Sequence, residues 1–252
     1  MIVGVSLKNN ILLLGGSGTL GKAIIKSRLF NNLNYPTRNT LNILNQKKIE
    51  DYLIKNNIKI ILHCAALARV KECEKNKKKA FKINVFGTQN IVKSVNNCWK
   101  KNNLNIRVIF ISSDAVYPST RGNYKETDNL KSYNYYGWTK IQGEKAIKKL
   151  NSYTIIRTRF FNKYKIKFNY AAVNIFTSSI EVSKLVKYIN RIIKKKFKGV
   201  LNVGGKRVSD FEKYNKYKKN IKPCDKSRIF NNLDLKLATD ASLNLEKFNK
   251  LI

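Results

Sequence analysis

Three polar residues have the types and spacing of a proton-transfer site. Ser113 ends a candidate strand, and Tyr136 and Lys140 follow it with the spacing Tyr-x-x-x-Lys. Residues four apart on a helix share one face, so we expect Lys140 to stand beside Tyr136. A nearby ammonium favours a phenolate, so Lys140 should lower the pKa of Tyr136, and Ser113 can hydrogen-bond the same oxygen. Such a set can exchange a proton with a carbonyl or an alcohol.

A glycine-rich turn points to a second kind of chemistry. Gly15, Gly18 and Gly21 are spaced three apart, directly after a candidate strand and before a candidate helix. Such a turn lets backbone N–H groups approach a pyrophosphate at the positive end of the helix, and its last glycine permits close helix–strand packing. The turn therefore predicts dinucleotide binding.

Arg38 indicates which dinucleotide is preferred. Thr37 and Arg38 follow the expected second strand, where an NAD enzyme commonly places an acidic residue to hold the ribose hydroxyls. A guanidinium pairs with a 2′-phosphate instead. We therefore expect NADPH, and NADH stays the alternative if Arg38 is only solvated.

The elements that must position these residues alternate between short apolar runs and longer amphipathic ones. The strands are predicted at residues 11–14, 59–62, 107–112, 153–157 and 199–203, and the helices near 20–31, 47–55, 78–100 and 136–150, with a further apolar helical face at 180–193. This alternation is typical of βαβ units around a parallel sheet. We predict an α/β fold, a doubly wound parallel (Rossmann) sheet with a small, shortened C-terminal substrate lobe.

The predicted division of the chain follows from the order of the motifs. Residues 1–158 would form an NAD(P)-binding domain, and residues 159–252 a substrate-binding lobe whose parts return to pack on the sheet. At 252 residues and 43% hydrophobic content, the chain can bury one sizeable core.

The amino-acid composition limits the classes of ligand and partner that we expect. Lys and Arg number 51 against 15 Asp and Glu, a net charge of +36 that would ordinarily suggest nucleic acid. The excess is spread along the chain instead of forming a tail or a stripe, so we consider nucleic acid unlikely and favour a phosphorylated ligand. Four cysteines without a C-x-x-C pair and one histidine predict no metal site. The absence of a long apolar run or a leader-like start predicts a cytoplasmic protein without a membrane span.

Several short motifs follow one another in a definite order along the chain. They are Gly15-x-x-Gly18-x-x-Gly21, His63-Cys64-Ala65-Ala66, Asn84-Val85-Phe86-Gly87-Thr88, Ser112-Ser113-Asp114-Ala115, Tyr136-Gly137-x-x-Lys140, Gly199-Val200-Leu201-Asn202, Ser209-Asp210-Phe211 and Asp240-Ala241-Ser242-Leu243. Together they resemble the extended short-chain dehydrogenase/reductases and, within them, the dTDP-4-dehydrorhamnose reductase group. The resemblance spans nearly the whole chain.

The resemblance implies a role for each matching position. The positions that would bind the cofactor are Gly15, Ser17, Gly18, Thr19, Leu20, Gly21, Arg38, Asn42, Ile43, Cys64, Ala65, Ala66, Tyr136 and Lys140. Gly18 to Leu20 would face the pyrophosphate, residues 42 and 43 the adenine, and residues 64–66 the ribose on the nicotinamide side. Asn42 replaces the usual Asp, and its amide oxygen can still accept from adenine.

The implied catalytic residues are Tyr136 as the acid, Lys140 as its partner and Ser113 as an aid. The substrate positions would be Ser113, Asp114 and Phe160. The implied activity is NADPH-dependent reduction of a nucleotide-activated 4-keto-6-deoxy sugar, as in dTDP-rhamnose and cell-surface polysaccharide biosynthesis.

Two alternatives stay open, a nucleotide-sugar 4-epimerase and a non-catalytic, cofactor-binding regulatory subunit. Dehydration is disfavoured because Asp114 is followed by Ala115 and not by the Glu that elimination of water requires. The segment 159–179 is shorter than the family's usual one, so the nucleotide and the sugar are left open. Family precedent also implies a homodimer, paired through the helices near 78–100 and 136–150.

Overall fold

The computed structural model describes residues 10–230 and 238–252. Its strands are β1 (Asn10–Leu14), β2 (Leu33–Asn34), β3 (Ile58–His63), β4 (Arg107–Ile111), β5 (Tyr153–Arg157), β6 (Phe160–Phe161), β7 (Tyr170–Ala172), β8 (Phe176–Thr177), β9 (Ile180–Glu181), β10 (Gly199–Asn202), β11 (Val208–Ser209) and β12 (Lys222–Cys224). Six of them form one parallel sheet in the order β10-β5-β4-β3-β1-β2.

Helices cover both faces of this sheet. They are α1 (Thr19–Ser27), α2 (Gln46–Lys55), α3 (Val70–Lys75), α4 (Lys77–Ala80), α5 (Gly87–Asn102), α6 (Tyr135–Ile147), α7 (Val182–Lys194), α8 (Asp210–Asn215), α9 (Lys226–Phe230) and α10 (Glu246–Leu251). A π-helical segment, Phe81–Phe86, joins α4 to α5, and 3₁₀ turns occupy Asp114–Val116 and Lys163–Lys165.

The core consists of two apolar layers, one on each face of the sheet. On β1, Leu12 and Leu14 belong to the layer that packs against α2, α5 and α6, whereas Ile11 and Leu13 belong to the layer that packs against α1 and α7. Successive side chains of a strand point to opposite faces, so a strand that is apolar throughout must be covered on both. The predicted doubly wound parallel sheet is thereby confirmed.

The register of the sheet places the residues that follow its strands at one edge. Leu14 on β1 pairs with His63 on β3, and His63 pairs with Phe110 on β4. The carboxyl ends of these strands are therefore level, as is that of β5, where Ile156 pairs with Ile111. The chain turns in opposite directions after β1 and β3, and ligands of open α/β sheets bind outside such a point.

The predicted elements largely agree with the observed ones, and three differences stand out. The helix predicted to run to residue 31 ends at Ser27, because Arg28 adopts a left-handed backbone with φ 53°. The helix predicted at 78–100 is interrupted by the π-helical segment. The second strand is only Leu33–Asn34, so Thr37 and Arg38 lie in the loop after it and not at its end.

The chain after Thr158 builds short strand pairs and then rejoins the sheet. The pairs are β6 with β9, β7 with β12 and β8 with β11. Helix α7 then packs beside α1, and β10 adds an edge strand next to β5. Within the described residues, no helix combines the length and the apolar character needed to cross a bilayer.

Candidate active site

The glycine turn after β1 is held by close backbone packing. Gly15 has φ 95°, and a Cβ on it would lie 2.6 Å from the Ala65 nitrogen. A Cβ on Gly21 would lie 2.2 Å from the Gly15 carbonyl oxygen, so α1 packs tightly on the end of β1. The Gly18 N–H donates to the Gly15 oxygen at 3.1 Å, which closes the turn. A side chain at Gly15 would push the turn away from the segment after β3, and one at Gly21 would push α1 away from the end of β1.

A cavity of about 760 Å³ opens beside this turn. It lies between the ends of β1 and β3, within the size range of cofactor sites. Nine of the predicted cofactor positions line it: Gly15, Ser17, Gly18, Arg38, Asn42, Ile43, Cys64, Ala65 and Ala66. The structure thus brings together residues that are up to about fifty positions apart in sequence, and their contacts with a cofactor stay a prediction.

The other predicted cofactor positions lie around the cavity without lining it. Thr19 is exposed in the first turn of α1, while Leu20 and Gly21 are buried. The Leu20 side chain belongs to the core, so only its backbone N–H, at the start of α1, remains available to an anion. Tyr136 and Lys140 stand on α6, outside the lining residues.

The loop after β2 forms the opposite wall of the cavity. Arg38 is exposed on it, and Ile43 is buried against Gly87 at the start of α5. The Asn42 side-chain oxygen accepts from the Leu44 N–H at 3.0 Å. Asn42 therefore stabilises the conformation of its own loop, in addition to the adenine contact that we expect of it.

Helix α6 begins directly above the end of β4. Its first turn is capped by Asn134, whose side-chain oxygen accepts from the Gly137 N–H at 2.8 Å. A Cβ on Gly137 would lie 2.1 Å from the Ala115 carbonyl oxygen, so this glycine lets the helix rest on the loop that carries Ser113. Ser113 consequently lies beside the Tyr136 phenol, where its hydroxyl acts to lower the pKa of that phenol.

Burial decides the acidity of Tyr136. It raises the pKa of the phenol well above its usual value, and the Ser113 hydroxyl acts in the opposite direction. The expectation that Lys140 lowers this pKa below the usual value is therefore wrong for the structure described, because desolvation outweighs the neighbouring charges.

The Lys140 ammonium rests on an aromatic ring. Lys140 is 3% exposed, and its Nζ lies 3.9 Å from the centroid of Phe110. Gly143 makes room for that ring, since a Cβ there would lie 2.8 Å from Phe110 Cζ. Burial lowers the pKa of Lys140 to about 8, while the charges of Glu144 and Cys64 oppose this shift. Lys140 also lowers the pKa of the Cys64 thiol against a larger rise caused by burial.

His63, the last residue of β3, is buried next to the site. It is 1% exposed, and its Nε2 lies 3.0 Å from the Thr88 hydroxyl, which itself donates to the Asn84 carbonyl oxygen at 2.7 Å. Nε2 is therefore the donor, and burial lowers the pKa of His63 to about 3. A neutral, hydrogen-bonded imidazole fits a packing role.

Asp114 is held by a residue that the sequence analysis did not single out. The side chain of Asp114 is 2% exposed, and its Oδ2 lies 2.6 Å from Nε of Arg159. The Ser113 hydroxyl donates to Asp114 Oδ1 at 3.2 Å. Phe160, the other predicted substrate position, is partly buried on β6 against the apolar layer. Its contact with a substrate stays a prediction.

A second buried ion pair anchors α6. The Arg157 guanidinium binds both Glu144 carboxylate oxygens, with Nη2 to Oε2 at 2.7 Å, and the Ser112 hydroxyl donates to Oε1 at 2.5 Å. Arg157 also donates to the Tyr117 hydroxyl at 2.7 Å. This network ties α6 to the ends of β4 and β5, and so fixes the height of Tyr136 and Lys140 above the sheet.

One signal in the sequence could have revealed Arg159 and Arg157. Both stand at or just past the carboxyl end of a predicted parallel strand, the edge where ligand-binding residues gather. Charged residues there need a buried partner, and Asp114 was already part of a recognised motif.

Comparisons with known proteins agree with this geometry. Residues 9–183 match the family model described as the RmlD substrate binding domain. Methionine adenosyltransferase 2 subunit beta from Bos taurus is 30% identical over 146 residues, which cover 54% of this chain and 42% of that protein. The chain thus matches less than half the length of this curated relative.

Two solved structures share the fold over almost the whole chain. The dTDP-4-dehydrorhamnose reductase from Bacillus anthracis str. Ames, in complex with NADP, has a TM-score of 0.84 and 23% identity, covering 97% of this chain and 93% of that one. A hypothetical dTDP-4-dehydrorhamnose reductase from Sulfolobus tokodaii has a TM-score of 0.80 and 27% identity, covering 96% and 94%. With the glycine turn, the level strand ends and the placement of Ser113 beside Tyr136, the match over residues 9–183 shows that the chain belongs to the RmlD substrate binding domain family.

Proposed function

We propose that this chain is an NADPH-dependent reductase of a nucleotide-activated 4-keto-6-deoxy sugar. The observation that carries the proposal is the placement of Ser113 beside the Tyr136 phenol, one helical turn from Lys140, whose ammonium acts on Cys64 in the cavity wall. A phenol with a hydroxyl beside it, near a dinucleotide-sized cavity, is placed to protonate a carbonyl oxygen. The structural similarity to a dTDP-4-dehydrorhamnose reductase supports the same substrate class.

The residues around the cavity fit a dinucleotide phosphate. Gly15 and Gly18 leave backbone on its inner wall where side chains would fill it, and the start of α1 provides N–H groups for a pyrophosphate. Arg38 stands exposed on the opposite wall, within the loop that would hold the adenosine ribose. The bound cofactor would supply a hydride to the carbonyl carbon.

The chain's own residues would then handle the proton and the substrate. Tyr136 would donate its phenol proton to the carbonyl oxygen as that oxygen becomes an alkoxide, and Ser113 would hydrogen-bond the same oxygen. Lys140, whose ammonium acts on Cys64 at the cavity wall, would bind the ribose hydroxyls and remain positively charged there. Asp114 and Phe160 would contact the sugar.

The proposed division of labour follows the fold. Residues 1–158 would hold the cofactor, and residues 159–252 would hold the nucleotide sugar while returning α7 and β10 to the sheet. The protein would act as a homodimer paired through α5 and α6, with Phe81 and Trp138, 42% and 38% exposed, near the interface.

A second candidate is a cofactor-binding subunit that regulates another enzyme. The 30% identity to methionine adenosyltransferase 2 subunit beta over 146 residues favours it. In that case the cavity would bind the dinucleotide, and Tyr136 would have no chemical task.

One assay separates these candidates. The purified chain is incubated with NADPH and dTDP-4-dehydrorhamnose, and NADPH absorbance and the sugar products are followed together. A reductase consumes one NADPH for each 4-hydroxy product. An epimerase would interconvert 4-hydroxy nucleotide sugars without net consumption of NADPH. Tight NADPH binding without any conversion of dTDP-sugars or UDP-sugars would overturn the enzymatic proposal in favour of the binding subunit.

A further inference from the structure

Arg159, which lies between β5 and β6, is linked to the Tyr136 phenol by a short chain of contacts. Arg159 Nε lies 2.6 Å from Asp114 Oδ2, Asp114 Oδ1 accepts from the Ser113 hydroxyl at 3.2 Å, and Ser113 lies beside the Tyr136 phenol, where it acts to lower the pKa of that phenol. The linked groups run from a side chain that is one-third exposed to a phenol at the centre of the site.

Backbone hydrogen bonds fix the positions of both Arg159 and Asp114. The Ile180 N–H donates to the Arg159 carbonyl oxygen at 2.9 Å, which ties β6 to β9, and the Asp114 N–H reaches the Thr158 oxygen at 3.4 Å. Arg159 and Asp114 are therefore brought together by neighbouring strand ends and not by a chance contact of flexible side chains.

Asp114 needs such a partner. A carboxylate that is 98% removed from solvent carries a large desolvation cost unless an opposite charge compensates it. It also lies close enough to Tyr136 to disfavour the phenolate, whereas Arg159 favours it. The two charges therefore act on the phenol with opposite signs.

We propose that Arg159 is a positioning residue for Tyr136, which holds the buried Asp114 carboxylate in place and balances its charge beside the phenol. The proposal rests on the proposed function only in taking Tyr136 as the proton donor. Without Arg159, the phenol would face the Asp114 charge alone, and Ser113 would lose the fixed acceptor that orients it.

Other ionisable groups surround Tyr136, Arg159 and Asp114, and they are left unchanged in the variants compared below. Cys73 also faces Tyr136, and Lys140 lies one turn further along the same helix. Tyr133 and Asp210 face Arg159, and Lys213 from α8 lies near both Arg159 and Asp114.

The test measures the phenolate character of Tyr136 directly, without substrate. Tetranitromethane nitrates phenolates, and peptide mass spectrometry resolves Tyr136 from the other tyrosines of the full-length chain. Tyr164, 84% exposed, serves as the internal reference, and Tyr117, fully buried, reports that the variant is folded because it stays unmodified.

We expect opposite effects from the two partners. Arg159→Met should slow the relative nitration of Tyr136 by about threefold or more, and Asp114→Asn should accelerate it by a similar factor. The double variant should return to within about twofold of the wild-type rate, because both charges are gone. Arg159→Lys keeps the charge and should stay near the wild-type rate.

A matched control uses a second arginine that pairs with a buried aspartate. Arg207 Nε lies 2.7 Å from Asp240 Oδ2, and the Asp240 side chain is 9% exposed. Arg207→Met should leave the nitration of Tyr136 unchanged. The proposal is overturned if Tyr136 is nitrated at the wild-type rate in Arg159→Met, or as slowly in Arg159→Lys as in Arg159→Met. It is also overturned if the nitration rate of Tyr136 does not return towards the wild-type value in the double variant. A wild-type chain that reduces no sugar would overturn the proposed function alone, since nitration needs no turnover.

Discussion

The Lys140 ammonium lies 3.9 Å from the centroid of the Phe110 ring, buried beneath the first turns of α6. The face of an aromatic ring attracts a cation, but it replaces only part of the hydration that burial removes. Lys140 is thus kept in place at an energetic cost, as expected of a residue retained for a ligand.

Lys140→Met should therefore stabilise the protein while damaging its site. Burial lowers the pKa of Lys140 from 10.5 to about 8, so the unfolded chain holds that proton more tightly than the folded one. The cost is present in full below pH 8 and disappears as the pH rises towards 10.5. At pH 7 the variant should gain up to about 3 kcal/mol in the free energy of unfolding, and the gain should shrink above pH 8.

Denaturant titrations between pH 7 and pH 10 check this expectation, with the exposed Lys145→Met on the same helix as the control. A variant at position 140 that is less stable than the wild type at pH 7 would show that the ammonium has compensating partners. NADPH affinity and turnover should both fall, because the ammonium would no longer bind the ribose.

Gly18→Ala should weaken NADPH binding without unfolding the protein. Gly18 has φ −73°, which alanine adopts freely, and a new Cβ would meet only the Gly15 oxygen at 3.4 Å. The methyl group would nevertheless stand where the pyrophosphate must approach the backbone. We expect at least a tenfold loss of affinity in a fluorescence titration, on the order of 1.4 kcal/mol.

The control for this change is Gly205→Ala, where a Cβ would lie 3.3 Å from the Ser179 oxygen, outside the cavity. It should leave NADPH affinity unchanged. Equal losses in the two variants would mean that the glycine turn does not contact the cofactor.

Much of this site could be predicted from the sequence because its parts are local. A strand, three glycines and a helix follow each other directly, and Tyr136 and Lys140 are one helical turn apart. The acidity of Tyr136 and the partner of Asp114 depend on what the fold buries. Neither spacing nor composition reports that Phe110 from β4 lies under Lys140, or that Arg159 faces a carboxylate 45 positions earlier in the chain.

Arg38→Asp should shift the preference from NADPH towards NADH. The carboxylate would repel a 2′-phosphate and accept from the ribose hydroxyls of NADH, whereas the wild-type guanidinium pairs with the phosphate. The ratio of the two dissociation constants should change by about tenfold or more, which corresponds to roughly 1.4 kcal/mol.

Lys206→Asp makes the same change of charge at an exposed position outside the cavity and controls for the overall field of a chain with net charge +36. If both variants alter the ratio equally, Arg38 does not contact the cofactor.

The central claim is that Tyr136 is the proton donor of a reductase, and NADPH oxidation with dTDP-4-dehydrorhamnose tests it most directly in the wild type, Tyr136→Phe and Tyr135→Phe. Tyr135 is the matched control, since it precedes Tyr136 on α6 and stacks on Trp138 at 5.1 Å. The account predicts turnover in the wild type and in Tyr135→Phe, and a loss of about 10²–10⁴-fold in Tyr136→Phe with NADPH affinity nearly unchanged. Turnover that survives in Tyr136→Phe would contradict it.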